Sequence, residues 1–263
     1  MVFLVGLTTP HCPNPGDVGE LTRLLTQWGY TYESVTSGAV DVAYQHNVTT
    51  LWKHLLTEFP KLGFWPLYHT MFYWDFAEPT IGSVGDAADF FTQNTLTTVA
   101  DNIENYWDDQ NFFTPEMFPY WDECVDFHSY HAPNIHGCQV EVPADEGFFE
   151  EGLLIVPVHR PADIPAVVGW HGTGCSGAEA STMLRSWEDR FGTVLTHLEW
   201  DAMTLQLGDC GTLTEKQRLQ LTLEHYRFCP NNFYRCGRTF LQYSHLLEQR
   251  EWAFYWDKSV YDG

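Results

Sequence analysis

Apolar residues at three- and four-residue spacing recur along this chain between short strand-like runs, a pattern that predicts helices packed on sheets. Leu21, Leu24, Leu25 and Trp28 share one helical face behind Asp17 and Glu20, a capping-box-like start for a helix over 17–28. Two short strands are expected over 30–36 and 39–45, joined across Ser37-Gly38. Leu51, Trp52, Leu55 and Leu56 predict a second helix over 49–59, stopped by Pro60. Residues 64–74 then read as a strand broken early by Pro66. The opening 1–7 is apolar, too short for a secretory signal and without a basic leader, and reads as a first strand.

The same order returns downstream. A helix over 178–190 carries Met183, Leu184 and Trp187, followed by strands near 193–199 and 203–207. Helices over 214–227 and about 239–249 precede a terminal strand at 252–257. Leu25-Thr26-Gln27-Trp28 aligns with Leu184-Arg185-Ser186-Trp187, and Phe64-Trp65-Pro66 with Phe228-Cys229-Pro230. The string Phe-Tyr-Trp-Asp stands at both 72–75 and 254–257. The expected fold class is α+β: mixed sheets flanked by helices, with duplication of an α/β module as one account of the repeats and a shared generic order as the other. The expected organisation is a first module over 1–75, an acidic insert over 76–150 and a C-terminal domain over 151–263.

The insert is different in kind. Residues 86–109 read as an acidic helix, and 114–151 lack periodicity while being dense in aromatics, histidines and acids. Tyr-Trp-Asp recurs there at 106–108 and 120–122. A tryptophan ending an apolar run, followed by aspartate, packs its ring while wetting the carboxylate.

Composition sharpens this reading. Aromatics reach 16% and charged residues only 18%, a globular recipe rather than a disordered one. The net charge of −22 is lopsided: residues 1–150 hold 21 acids against Arg23, Lys53 and Lys61. Such a field repels phosphate backbones, which argues against nucleic acid, and speeds encounter with a basic protein. No apolar stretch is long enough to span a bilayer, so no membrane association is expected and the location is read as cytoplasmic. Seven cysteines, an odd number, favour free thiols over a disulfide framework.

The candidate chemistry is sparse. Cys124, Asp126, His128, His131, His136 and Cys138 are zinc-ligand types within fifteen residues, without the paired Cys-x-x-Cys that anchors a finger. Four of them, His128, His131, His136 and Cys138, make one candidate metal set; His225, Cys229 and Cys236 make another, with buried structural cysteines as the alternative for the second. Gly169–Gly177 lacks both the phosphate-loop and dinucleotide patterns, although Cys175 near a helix start is a candidate reactive thiol. No serine, histidine and acid stand at a recommending spacing, so no catalytic residue is assigned.

From Val156 onward the chain resembles the bacterial domain of unknown function 4253. The resemblance rests on Val156-Pro157-Val158-His159-Arg160-Pro161-Ala162-Asp163, Leu184–Gly192 around Ser186-Trp187-Glu188-Asp189-Arg190, Glu224-His225, Phe228-Cys229-Pro230 and Trp252–Asp257. It highlights Trp187, Glu188, Arg190, Glu224, Cys229, Trp256 and Asp257, and implies an architecture but no reaction. The chain departs from it at Asn231 and Tyr255, where the family tends to aspartate and tryptophan. Leu51-Trp52 and Gly63-Phe64-Trp65-Pro66 are similar to segments that often precede the domain in longer members.

The functional expectation is a non-enzymatic cytoplasmic binding protein of the toxin-immunity kind, engaging a basic partner through 86–131. Its contact residues are Asp101, Glu104, Tyr106, Trp107, Asp108, Asp109, Tyr120, Trp121 and Asp122, tyrosine and tryptophan being favoured interface anchors. No cofactor is expected on this reading; the alternatives are a metal-dependent enzyme using the His/Cys sets, zinc being one metal they would suit, or a small-ligand module lined by Trp65, Trp74 and Trp256.

Overall fold

The computed structural model describes residues 3–7, 12, 14–34, 39–42, 48–70, 138–142, 151–172, 175–208, 213–236 and 240–256. β1 (Phe3–Leu7) is followed by α1 (Val18–Trp28), whose first turn is held by the Asp17 carboxylate accepting from the Glu20 N–H at 2.9 Å. Leu21 and Leu25 are its buried residues, and Gly29 ends it in the left-handed region. β2 (Glu33–Ser34) and β3 (Val40–Val42) pair antiparallel, β2 starting later than the expected 30 and β3 one residue after the expected 39.

α2 (Val48–Leu62) does not stop at Pro60 but runs to Leu62. A proline one turn from a helix end forfeits a single backbone bond, and the end is made instead at Gly63, with φ +67° and its N–H donating to the Phe59 carbonyl. The Gly63 carbonyl accepts from both Gly16 and Val158, so this residue ties three segments together. A Cβ there would lie 2.4 Å from the Asn14 oxygen.

β4 (Phe64–Thr70) continues straight through Pro66. It pairs antiparallel with β6 (Glu151–Pro157) over seven rungs, from Phe64 opposite Pro157 to Thr70 opposite Glu151. The two prolines stand on rungs of equal parity, so one register leaves both proline nitrogens outside the bonded rungs of this pair. Side chains replace the missing ladder bonds: Trp65 Nε1–H donates to the Leu195 carbonyl at 2.7 Å, and Trp52 Nε1–H to the Pro66 carbonyl at 3.1 Å. β5 (Cys138–Val142) pairs with β1 in a separate two-stranded sheet.

The remaining elements are a 3₁₀ turn at Pro161–Asp163, α3 (Ile164–Val168), the short hairpin β7 (His171–Gly172) and β8 (Cys175–Ser176), α4 (Gly177–Phe191), β9 (Val194–Leu198) and β10 (Ala202–Gln206). α5 (Glu215–Phe228), α6 (Asn231–Cys236), α7 (Phe240–Ser244), a 3₁₀ turn at His245–Glu248 and β11 (Glu251–Tyr255) complete the described elements. α4 and α5 begin with full capping boxes at Ser176/Glu179 and Thr214/Gln217.

The main sheet has seven strands in the order β11-β10-β9-β4-β6-β3-β2. All neighbours are antiparallel except β4 and β9, which meet through Tyr68 opposite His197. The fold is therefore α+β with a mixed sheet, as expected. Both halves share the helix–strand–strand–helix–strand order, but β10 and β11 are antiparallel neighbours while β3 and β4 run parallel with β6 between them. The Phe-Tyr-Trp-Asp string at 72–75 and the acidic helix at 86–109 lie outside the described residues.

Among the described residues β6 opens the C-terminal region yet pairs only with β3 and β4, and β4 alone joins it to β9. A fragment of residues 151–263 should therefore lack a cooperative urea transition by circular dichroism, whereas the full chain should show one.

Candidate functional site

The positions highlighted in the C-terminal half converge on a buried polar group under α4, α5 and β11. Glu224 on α5 is fully buried and accepts from both terminal nitrogens of Arg190, including a close contact with Nη2. The Trp187 indole N–H donates to the same carboxylate at 2.8 Å. A carboxylate with no solvent needs this many donors to offset the loss of water. Two further pairs fasten α4 to the preceding turn: Arg185 is bidentate to Asp163 at 2.5 and 2.9 Å, and Arg160 bonds Glu188 at 2.9 Å and Asp189 at 2.6 Å.

His225 lies beside this group, its ring packed against Trp187, Trp252, Phe254 and Tyr243. The Asn232 amide donates to the Ala253 carbonyl at 2.6 Å and to the Tyr243 hydroxyl at 3.4 Å, and that hydroxyl lies 3.3 Å from His225 Nδ1. His225 Nε2 is buried among aromatic rings without a hydrogen-bond partner. Burial, with a smaller contribution from Arg190, holds the imidazole well below its usual range, so it is neutral.

Asn232 also accepts from the Tyr255 N–H at 3.0 Å, so a single side chain occupies a donor and an acceptor on the outer edge of β11. The Cys229 thiol donates to the Tyr255 carbonyl at 3.2 Å. These contacts close a sheet edge rather than present a reactive group. At the other side of the sheet His69 Nε2 meets Asp41 at 2.9 Å, reaching across β6 at Gly152, where a Cβ would come within 2.8 Å of that nitrogen.

The candidate residues fall out unevenly. His225 and Cys229 are both fully buried, but their polar contacts run to Tyr243 and to Asn232 and β11 respectively, and Cys236 is described only in its backbone. Among the described residues no three His, Cys, Asp or Glu side chains are grouped to hold a metal. Cys138 opens β5, described only in its backbone, while His128, His131 and His136 lie outside the described residues. So do Asp101, Glu104, Tyr106, Trp107, Asp108, Asp109, Tyr120, Trp121 and Asp122. Trp65 and Trp256 are core side chains, and Trp74 lies outside the described residues. Cys175 does stand at the start of α4, but burial, Glu179 and Cys229 push its thiol well above the ordinary range, the opposite of an activated cysteine. Cys12, Cys175 and Cys229 are free and buried. Sequence reasoning missed Asn232, His69 and Asp41. The Cys-Pro-Asn-Asn run marks the first only as a turn, and the other pair is joined by strand register.

The geometry agrees with one comparison. Residues 152–257 match the family model described as Domain of unknown function (DUF4253). No curated protein and no solved structure matches the chain. The match begins on β6 and ends just past β11, enclosing every member of the Trp187–Arg190–Glu224 group. Within the DUF4253 match these side chains hold helices to the sheet and to each other.

Removing one partner of a buried pair leaves the other charge stranded. Glu224→Ala is expected to cost about 3–5 kcal/mol in urea unfolding. His225 gives a pH signature. The unfolded imidazole takes a proton near pH 6.5 and the folded one only well below that, so stability should be level above about pH 6.5 and fall as the pH drops below it. His225→Phe should flatten that slope, measured as the urea midpoint against pH.

Proposed function

We propose that the protein is a non-enzymatic cytoplasmic binding protein whose acidic N-terminal half engages a basic protein partner, in the manner of toxin-neutralising immunity proteins. The carrying observation is a separation of charge. Residues 71–150 contain sixteen Asp and Glu and no Lys or Arg. In the C-terminal half, Arg160, Arg185, Arg190 and Arg218 are already engaged by carboxylates of that same half. Arg190 and Arg160 are largely buried in those pairs. These four of the ten Lys and Arg of 151–263 could neutralise the acidic segment only by breaking contacts that hold the helices, which supports compensation from outside. No helix of the described residues is long and apolar enough to cross a membrane.

A basic partner recovered from the native cell should release as salt rises from about 0.05 to about 0.5 M, where the screening length shrinks to a few ångströms. Replacing Asp101, Glu104, Asp108, Asp109 and Asp122 by their amides should slow association with that partner at least about tenfold and leave the urea midpoint unchanged. Binding indifferent to both salt and these replacements would refute the reading.

A further inference from the structure

We propose that the turn joining β9 to β10, residues 199–202, is a contact site for a cationic side chain, with the Trp200 and Tyr255 rings as its platform. That the cation belongs to a basic protein partner rests on the function proposed above; the cation site itself does not.

Trp200 and Tyr255 are the large apolar side chains that stand exposed among the described residues, at 57% and 43%. Trp52, Trp65, Trp170, Trp187, Trp252 and Trp256, by contrast, are all core. Register brings the two exposed residues to one end of the sheet. Tyr255 ends β11 directly opposite Ala202, which opens β10 two residues past Trp200. A single exposed aromatic is ordinary on a protein surface, whereas two at the same end of neighbouring strands mark a place to be covered.

The backbone beneath these rings is fixed from several directions. The Glu199 N–H donates to the Ala202 carbonyl at 2.8 Å, and the Trp170 indole N–H donates to the Glu199 carbonyl at 2.7 Å. The Trp256 N–H donates to the Asp201 carbonyl at 2.6 Å, tying the end of β11 to the turn. Trp170 and Trp256 are themselves buried and meet edge to face at 4.9 Å, so the turn is seated on the core. Gly172 makes room for that seating: a Cβ there would lie 2.7 Å from the Trp170 ring and 3.1 Å from that of Trp256. Tyr255 is held by its own backbone, through its N–H to Asn232 and its carbonyl to the Cys229 thiol. A ring carried on backbone that is already ordered loses little freedom when covered, which is what an interface anchor requires.

Charge selects the occupant. The ionisable residues of the turn are Glu199 and Asp201, and neither 191–215 nor 251–257 contains a Lys or Arg. The Glu199 carboxylate is kept beside the turn by His197, whose Nε2 lies 2.8 Å from Oε1. An indole face attracts a cation through its quadrupole, and neighbouring carboxylates add to that attraction while repelling an anion. An arginine or lysine side chain fits these requirements; a phosphate or an acidic peptide does not.

The full chain labelled with 5-fluorotryptophan tests this, the Trp200 resonance being assigned by its loss in Trp200→Phe. Titration with N-acetylarginine amide should shift that resonance saturably. The neutral isostere N-acetylcitrulline amide, at matched ionic strength, should leave it in place. Tyr255→Ala should weaken the arginine response at least about threefold without moving the urea midpoint; an unchanged response removes Tyr255 from the platform. A Trp200 resonance that stays still, or that moves equally with the citrulline amide, overturns the cation site. Trp200→Ala should also weaken binding of the basic partner recovered from the native cell at least about fivefold. Unchanged affinity for that partner overturns the site's share in the contact. If no basic partner is recovered while Trp200 still responds to the arginine amide, the proposed function fails and the cation site stands.

Discussion

Everything in this sheet depends on β4 being accepted between β6 and β9. All of its described side chains are buried, which is what a strand flanked on both edges and covered by helices requires. Its two edges are made differently. Toward β6 there is a full antiparallel ladder; toward β9 there is a parallel meeting at Tyr68 and His197, reinforced by the Trp65 indole bonding the Leu195 carbonyl. Pro66 is tolerated in so central a strand because tryptophan side chains supply hydrogen bonds around it. The C-terminal region that matches DUF4253 thus owns strands on both sides of β4 but not the strand that joins them.

The polar residues of the C-terminal half follow from that arrangement. A helix lying over such a sheet has to be fixed in position, and α4 is fixed by ion pairs on several sides: Arg160 and Asp163 from the turn before it, Glu224 from α5. Buried pairs of this kind add little net stability over apolar packing, but each leaves a large penalty for any rearrangement that separates it. Their effect is to exclude alternative dockings. Asn232 does the same for the far edge of the sheet, where an uncovered β11 would be a template for another strand.

Much of the fold was legible because its signals are local. The α1 cap at Asp17, the helices carrying Trp52 and Trp187, the β9–β10 pair and the terminal strand are all dictated by neighbours within a few residues. What escaped is set by register. Nothing near Thr70 announces that its partner is Glu151, and nothing near Asp41 announces His69. Pro60 and Pro66 misled for a related reason: the rule that proline ends an element ignores what surrounds it, and here Pro60 falls in the last turn before Gly63 closes the helix while Trp52 and Trp65 donate to carbonyls around Pro66. Of the candidate site, the aromatic and ionic positions of the resemblance were legible as packing. The acidic residues expected to make contact were legible only as charge, and their positions lie outside the described residues.

The placement of charge gives the architecture its sense. A protein of −22 that left its arginines free would offer its own acidic segment a set of intramolecular cations at high effective concentration, and an external partner would have to compete with them. Tying Arg160, Arg185 and Arg190 to carboxylates inside the scaffold withdraws three of the ten Lys and Arg of 151–263 from that competition while the same bonds hold α4 in place. One set of interactions then serves two ends. The same three cations hold the scaffold and are occupied by its own carboxylates.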